Sequence, residues 1–358
     1  MIEAASLFIL SGITFLVPQL RALYFRKDLD EKSQPNTLSN IPYFDFLRGI
    51  SIIAVIIIHV IYFYKDSLLL PNLNTLLVFS LNNILRFAIP FFLITSGILL
   101  TPFPYTRKNY KHFLLKKSLK LLPPYLLCCI FIAFYHHYPL VKSIQLTLTG
   151  FMAVPYYFIC ILFQAYFFYP LLLKYVEKKY FLQFMFLLSI LCYCIPQTWL
   201  IWGFPFVGRY LFFFAYGIKM RNYFLFKKLE KKESPFWLSL ILFYLTLAIA
   251  FPAYYYNVRL IYGIALFNIC MILQPYINLK HKLNKILIAF GKNSLFIFLT
   301  HFGLISFLFT LLKNVSHLPL IHAVLIIVLC IPGSFLLAII FKKTYQKFFF
   351  LFTPKNLP

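Results

Sequence analysis

Apolar runs recur along most of the chain, and short polar connections separate them. Runs of about 20 residues match the hydrocarbon thickness of a bilayer and predict membrane-spanning helices. The fold class is therefore all-α, a polytopic integral membrane bundle of about ten core helices. The spans are predicted at approximately 44–64, 76–103, 121–138, 153–173, 181–200, 205–220, 235–255, 260–278, 286–310 and 320–341.

A further apolar stretch runs from Ala4 to about Leu20, ahead of these spans. It lacks the cleavage-site character of a signal peptide, and basic residues follow it rather than precede it. It is either an eleventh span or a helix lying in the interface, and the pattern favours neither. We predict an apolar segment with a polar linker over 1–42, a membrane domain over 43–342 and a basic cytoplasmic tail over 343–358.

Composition excludes a soluble globular protein of this length. Hydrophobic residues make up 62% and aromatic residues 21% of the 358 residues, and the mean hydropathy is +0.82. The net charge of +25 would suggest a nucleic-acid partner if it were clustered on a soluble domain. The charges instead fall in short clusters between apolar runs, so no nucleic acid is expected.

The distribution of lysine and arginine predicts the topology. Six connections carry 28 of the 34 basic residues and alternate with connections that are almost free of them. Basic connections remain in the cytoplasm, so Arg48 is predicted at the cytoplasmic end of its helix and His59 deeper in the membrane. The basic segments are 21–48, 105–120, 174–180, 219–232, 279–292 and 342–355.

Arg48 and His59 are the first functional candidates. Eleven residues separate them, so on a helix they differ by about 16 Å of rise and point within about 20° of each other. An ionisable side chain within an apolar span is costly and typical of pathways or chemistry. The alternative is a histidine that is merely hydrogen-bonded between helices.

The second span carries Arg86 and the sequence Ser96-Gly97. A guanidinium within a span needs an anion, carbonyl groups or water, which a functional site or an internal salt bridge supplies. Ser96 with Gly97 is more typical of close helix packing than of chemistry.

Three polar side chains in later spans are weaker candidates. Gln164 is more typical of an interhelical hydrogen bond than of a ligand, whereas for His301 the two interpretations are balanced. Ser294 begins the same apolar run as His301. His136 and His137 lie among tyrosines at the outer end of a span, where an aromatic belt is expected more than a metal site.

The seven cysteines all fall within apolar runs. They indicate packing residues rather than disulfides or metal ligands, and no metal is expected.

These motifs together resemble the membrane acyltransferase-3 family, whose members O-acylate bacterial surface polysaccharides and related glycans, such as lipopolysaccharide. The resemblance covers about 43 to 342. Its most specific part is Arg48, ten residues and His59, within Asp45-Phe46-Leu47-Arg48-Gly49-Ile50. Further matches are Arg86, Pro90-Phe91-Phe92 with Ser96-Gly97, Tyr157-Phe158, Gln164, Tyr166, Pro170, Phe213 to Gly217, Ser294 and His301.

The resemblance implies an O-acyltransferase that moves an acyl group, acetyl by expectation, from cytoplasmic acyl-CoA to a hydroxyl of a surface or lipid-linked glycan. Acyl-CoA is then a co-substrate and there is no resident cofactor; the partners are this donor, the glycan acceptor and membrane lipids. The implied location is the bacterial cytoplasmic (inner) membrane. The basic segment 116–120 carries lysine where the family often has arginine.

On this interpretation His59 is the general base or, as a second option, a transient acyl carrier, and Arg48 holds the donor phosphates. Asp45 orients Arg48, and either Arg86 or Ser96 stabilises the developing oxyanion. Gln164, Ser294 and His301 are supporting or donor-binding residues. A non-enzymatic exporter or flippase of a glycan or lipid-linked sugar is the alternative, because buried polar groups suit a transport pathway equally well.

Overall fold

The computed structural model describes residues 42–64, 73–104, 106–194, 206–226, 234–250, 259–313 and 319–352. Within these ranges every regular element is a helix and there is no strand, which confirms the predicted all-α class for this part of the chain. The α-helices are α1 (Pro42–Phe63), α2 (Leu73–Ile84), α3 (Ala88–Leu99), α4 (Arg107–Tyr135), α5 (Leu140–Thr149), α6 (Tyr157–Tyr175), α7 (Phe181–Cys194), α8 (Leu211–Lys219), α9 (Arg221–Phe226), α10 (Ser234–Ala250), α11 (Arg259–Leu273), α12 (Lys282–Lys292), α13 (Ser294–Leu311) and α14 (Pro319–Phe352). Short 3-10 helices lie at Leu85–Phe87, Val154–Tyr156, Val207–Arg209 and Gln274–Tyr276.

Six helical stretches are long and apolar enough to cross a membrane, so the chain has the character of a membrane protein. The predicted count of ten is not reached among the described residues, where three further apolar helices are shorter. The N-terminal apolar stretch lies outside the described residues. The six stretches are Pro42–Phe63, Ser80–Leu99, Arg107–Tyr135, Val154–Tyr175, Ser294–Leu311 and Pro319–Lys347, and the shorter ones are Phe181–Tyr193, Ser234–Thr246 and Leu260–Tyr276.

Two predicted spans take a different form in the structure. The span predicted at 205–220 is the nine-residue helix α8 after a 3-10 turn, and nine residues rise only about 14 Å. The span predicted at 286–310 is divided at Asn293 into α12 and α13. The Asn293 side chain donates from Nδ2 to the Ala289 carbonyl oxygen at 2.9 Å and accepts at Oδ1 from Lys342 Nζ at 3.1 Å.

Helix α5 lies in a segment that hydropathy assigned to a connection. It ends at Thr149, and the next residue, Gly150, has a φ of 74°, the left-handed conformation that favours glycine after a helix. Much of the exposed side of α5 is apolar, which is typical of a helix lying at a lipid interface. The exposed apolar residues are Leu140, Val141, Ile144 and Leu148, and the exposed Lys142 and Gln145 lie beside them.

The chain forms two compact units. Among the described residues, the first unit contains 89–104, 106–111, 164–194, 206–226, 234–250 and 259–278; the second contains 42–64, 73–88, 112–163, 279–313 and 319–352. The unit boundaries fall within the predicted domain 43–342 and leave that prediction untested.

In the first unit, α3 and α8 pack backbone against backbone. A Cβ atom at Gly97 would overlap the carbonyl oxygen of Phe214, and one at Gly217 would overlap that of Ile94. A backbone carbonyl group in the last turn of α3 finds its hydrogen-bond donor on another helix. The buried Arg221 donates from Nε to the Ile98 carbonyl oxygen at 3.0 Å. Burial lowers the pKa of the Arg221 guanidinium.

In the second unit, α1 packs against α12, α13 and α14, and its closest approach is to α12. Glycine makes that approach possible: a Cβ atom at Gly49 would overlap the Leu287 carbonyl oxygen, and one at Gly291 would overlap that of Asp45. These two contacts fix α1 against the start of the segment that carries His301.

Candidate active site

Helix α1 carries three of the predicted site residues. Pro42 occupies its first position, where the missing N–H costs nothing, and Asp45 lies in its first turn, where a negative charge suits the helix dipole. The helix continues without a break to Phe63, so Arg48 and His59 share one face with about 16 Å of rise between them.

The structure brings His59 together with His301. The distance from His301 Nε2 to His59 Nδ1 is 3.2 Å, and the ring centroids are 5.1 Å apart. The two residues are 242 positions apart in sequence, on α1 and α13 of the second unit. A histidine pair is therefore the centre of the candidate site.

Both rings also contact backbone carbonyl groups of their own helices. His59 Nδ1 lies 2.8 Å from the Val55 oxygen, and His301 Nδ1 lies 3.1 Å from the Ile297 oxygen. A carbonyl oxygen only accepts, so we assign the proton of each neutral ring to Nδ1. His301 Nε2 is then an acceptor, and the His59 Nδ1–H group is shared between Val55 and His301.

This assignment places the lone pair of His59 on Nε2, the nitrogen suited to take a proton from a substrate. Among the described residues, no hydrogen bond is made to that atom. His301 is fully buried, whereas His59 is only partly buried, so His59 is the more accessible member of the pair.

Aromatic rings surround the pair. Phe302 meets the His59 ring edge to face at a centroid distance of 5.8 Å, and Phe298 lies 5.7 Å from the His301 ring. The backbone of α13 is held from the side, because the buried Tyr156 hydroxyl donates to the Leu299 carbonyl oxygen at 2.6 Å. The pair is thus positioned by packing on both of its helices.

Arg48 lies in a cluster of basic side chains at the other end of α1. Its contact with Asp45 is 3.7 Å, longer than the ~2.8 Å of a charge-assisted hydrogen bond. Lys120 is close enough to Arg48 and Lys342 for their charges to act on it, and Lys292 acts on Asp45 in the same way. We call Arg48, Lys116, Lys117, Lys120, Lys292 and Lys342 the cationic cluster.

The structure places Arg86 and Ser294 in the same unit as the histidine pair. Arg86 lies in the 3-10 helix Leu85–Phe87, and its charge acts on His59. Ser294 is the first residue of α13, two helical turns or about 10 Å before His301, and so does not reach the pair.

The other two predicted residues belong to the first unit. Ser96 is buried on α3, beside Gly97 and its contact with α8. Gln164 accepts at Oε1 from the Val207 backbone N–H at 3.1 Å, which ties α6 to the 3-10 helix Val207–Arg209. A catalytic role for Ser96 or Gln164 remains a prediction.

Sequence reasoning missed a second buried histidine, His322 on α14. Its Nδ1 lies 2.8 Å from the Tyr64 hydroxyl oxygen, directly after the end of α1. The signal was available, since His322 interrupts an apolar run just as His59 and His301 do.

Within the described ranges, no group of three or more histidine, cysteine, aspartate or glutamate side chains is arranged to hold a metal ion. His136, one of the alternative metal candidates, stacks on Tyr138 at a centroid distance of 5.3 Å.

Comparison with known protein families gives a match. The model of the acyltransferase-3 family, described as an acyltransferase domain, matches residues 41–339, which is most of the chain. No curated protein and no solved structure matched.

Proposed function

The chain belongs to the acyltransferase-3 family, and from this we propose that it is a membrane-embedded O-acyltransferase, acetyl-CoA being the donor and a hydroxyl of a surface or lipid-linked glycan the acceptor. The observation that carries the proposal is the pairing of His59 with His301, because it supplies an oriented imidazole base within the membrane domain. We place the protein in the bacterial cytoplasmic membrane as a multi-pass enzyme.

The donor side of the proposal rests on the cationic cluster around Arg48. Coenzyme A carries several phosphate groups, and clustered basic side chains attract and hold such an anion. Asp45 restrains Arg48 through its 3.7 Å contact. From this end, the long thiol arm of the donor extends along α1 towards His59, about 16 Å away.

His59 acts as the general base in this scheme. Its Nε2 takes the proton of the acceptor hydroxyl while the hydroxyl oxygen attacks the thioester carbonyl carbon. A C–O bond forms, the C–S bond breaks, and the proton passes from His59 to the leaving thiolate. The products are the acylated glycan and free coenzyme A, and no net proton is gained or lost.

His301 positions this base. The His59 Nδ1–H group donates to Val55 and to His301 Nε2, which holds the ring with Nε2 towards the substrate. When His59 becomes positively charged in the transition state, both contacts become charge-assisted and gain strength. This is the role that a carboxylate has in a catalytic triad.

Arg86 is the better supported of the two candidates for the oxyanion. It lies in the same unit as His59, where the negative charge of the attacked thioester would develop, and it carries the positive charge that would stabilise it. Ser96 remains the second candidate.

The test is acyl transfer by the purified full-length chain in lipid nanodiscs. We expect [acetyl-14C]CoA and a lipid-linked glycan extract to yield a labelled glycan and an equal amount of free thiol. His59→Ala should reduce this rate by about two to four orders of magnitude. Thr300→Val, which removes a hydroxyl bonded only to its own helix, serves as the control.

Transfer at the wild-type rate by well-folded His59→Ala protein would refute the assignment of the base. An unmodified glycan that crosses the membrane of a sealed vesicle would instead indicate the exporter alternative.

A further inference from the structure

His322 and Tyr64 form a buried polar pair at the end of α1 opposite Arg48. The Tyr64 hydroxyl and His322 Nδ1 are 2.8 Å apart, and the exposed fractions of the two residues are 4% and 6%. His322 Nε2 is also buried, and within the described part of the chain it has no hydrogen-bond partner. A buried polar atom without a partner costs free energy, so a group that binds there is favoured.

The chemistry of the pair indicates what that group is. If Tyr64 donates to Nδ1, then Nε2 carries a proton and needs an acceptor; if Tyr64 accepts from Nδ1–H, then Nε2 needs a donor. A hydroxyl group satisfies both cases, because it donates and accepts. Since Nε2 is shielded from bulk solvent, only a group that enters the interior can supply the contact.

Aromatic rings connect this pair with the histidine pair. Phe302 lies against His59, and its centroid is 5.4 Å from that of Phe63. Phe63 lies 5.3 Å from Phe309, whose centroid is 5.8 Å from that of His322.

From His59 to Tyr64, which directly follows α1, the rise is about 7.5 Å, of the order of the length of one sugar residue, and the rotation about the helix axis is about 140°. The ring contacts through Phe302, Phe63 and Phe309 connect the two positions. Aromatic side chains beside a few polar groups are typical components of small-molecule sites.

We infer that Tyr64 and His322 form a hydroxyl-binding subsite for the acyl acceptor, a sugar that also presents its reacting hydroxyl to His59. The inference rests on the proposed function, because it needs His59 as the base. The donor and acceptor then lie on opposite sides of the histidine pair, with the cationic cluster at one end of α1 and this subsite at the other.

The experiment uses the full-length chain in nanodiscs, with acetyl-CoA as the donor and the methyl glycosides of glucose, galactose, mannose and N-acetylglucosamine as acceptor probes. The variants are His322→Phe, His322→Gln and Tyr64→Phe. Tyr262→Phe is the matched control, since it removes a buried tyrosine hydroxyl in the first unit. Hydrolysis of acetyl-CoA without a glycoside reports on the donor side alone.

We expect His322→Phe to raise the KM for the glycoside about tenfold, the effect of one lost hydrogen bond in a buried site. The KM for acetyl-CoA and the rate of hydrolysis without glycoside should stay at the wild-type values. His322→Gln keeps a donor and an acceptor and should restore most of the affinity, and Tyr64→Phe should have a smaller effect of about threefold.

The result differs if the hydrogen bond between Tyr64 and His322 only holds α1 and α14 together. The folded yield would then fall for His322→Phe, while the KM for the glycoside in the remaining folded protein would equal that of Tyr262→Phe. This outcome would overturn the subsite.

If the wild-type chain acylates none of the glycosides, the subsite is tested by binding, measured as the shift of the thermal unfolding midpoint when a glycoside is added. A glycoside that raises the midpoint of the wild type, but not that of His322→Phe, supports the subsite, and the absence of any shift in the wild type overturns it. Hydrolysis of acetyl-CoA without glycoside, lost in His59→Ala, tests the proposed function independently of this result.

Discussion

The contact between His59 and His301 makes a quantitative prediction for His301→Ala. The substitution removes the Nε2 atom that lies 3.2 Å from His59 Nδ1, and it leaves Val55 as the remaining acceptor for the shared proton. Because His301 is fully buried, the contact forms without competition from bulk water.

The magnitude follows from the charge that develops on His59. A hydrogen bond to a charged group contributes about 1.5–3 kcal/mol. Each 1.36 kcal/mol corresponds to a factor of ten in rate, so kcat should fall about 10- to 150-fold. The KM for acetyl-CoA should change little, since His301 lies away from the cationic cluster.

The assay is thiol release from acetyl-CoA in the presence of acceptor, measured on His301→Ala, His301→Gln and His59→Ala and on the double variant. His301→Gln places an amide oxygen within reach of His59 Nδ1–H, so it should recover much of the rate. In the His59→Ala background, His301→Ala should cause no further loss, because residues that act as one unit are not additive.

Two results would refute this reasoning. One is full activity of folded His301→Ala, which would make the contact irrelevant to the reaction. The other is a further rate loss of full size in the double variant, which would show that His301 acts independently of His59. Thr300→Val, which changes the neighbouring residue on α13, controls for general damage to this helix.

Four further predictions concern the donor, the packing and the topology. Arg48→Lys should raise the KM for acetyl-CoA, because lysine keeps the charge and loses the paired hydrogen bonds of guanidinium; unchanged donor kinetics with weakened acceptor binding would reverse the assignment of the two sides. Gly291→Ala should lower the free energy of unfolding by about 1–3 kcal/mol, because its Cβ atom would overlap the Asp45 carbonyl oxygen, whereas Gly303→Ala, with nothing within 4 Å, should be neutral or stabilising. Gln164→Leu should cost about 1–3 kcal/mol in thermal or denaturant unfolding, since the Val207 N–H loses an acceptor, and the exposed Gln145→Leu should not. In a chain without native cysteines, Lys111→Cys should resist an impermeant thiol reagent applied outside intact cells and Lys313→Cys should react; the opposite result would invert the topology.

The helical class and the family could be predicted from the sequence because both depend on local patterns. The apolar runs reflect bilayer thickness, and the spacing of Arg48 and His59 lies within one helix. The match to the acyltransferase-3 family over residues 41–339 confirms that interpretation.

The pairing of His59 with His301 could not be predicted in this way, although each residue was singled out. Hydropathy indicates which segments are helices and not which helices are neighbours. The same limit explains why the Tyr64–His322 pair was missed, since its two halves lie 258 positions apart.

The boundary at Asn293 was missed for a different reason. Helices α12 and α13 follow each other without a polar gap long enough to interrupt the apolar run. At the break, Asn293 donates a hydrogen bond to the Ala289 carbonyl oxygen and accepts one from Lys342, contacts that hydropathy does not report. Helix α5 was missed because its alternation of apolar and polar residues lowers the average hydropathy of the segment.

The long sequence separation within the histidine pair has a consequence for biosynthesis. His59 emerges from the ribosome 242 residues before His301, which at about 5–20 residues per second is a delay of about 10–50 s. For most of that interval α1 lacks α12, α13 and α14, the C-terminal helices that it contacts in the finished protein. Assembly of the site is therefore a late step of membrane insertion, and a chain interrupted before α13 carries His59, the proposed base, without His301, the residue proposed to orient it.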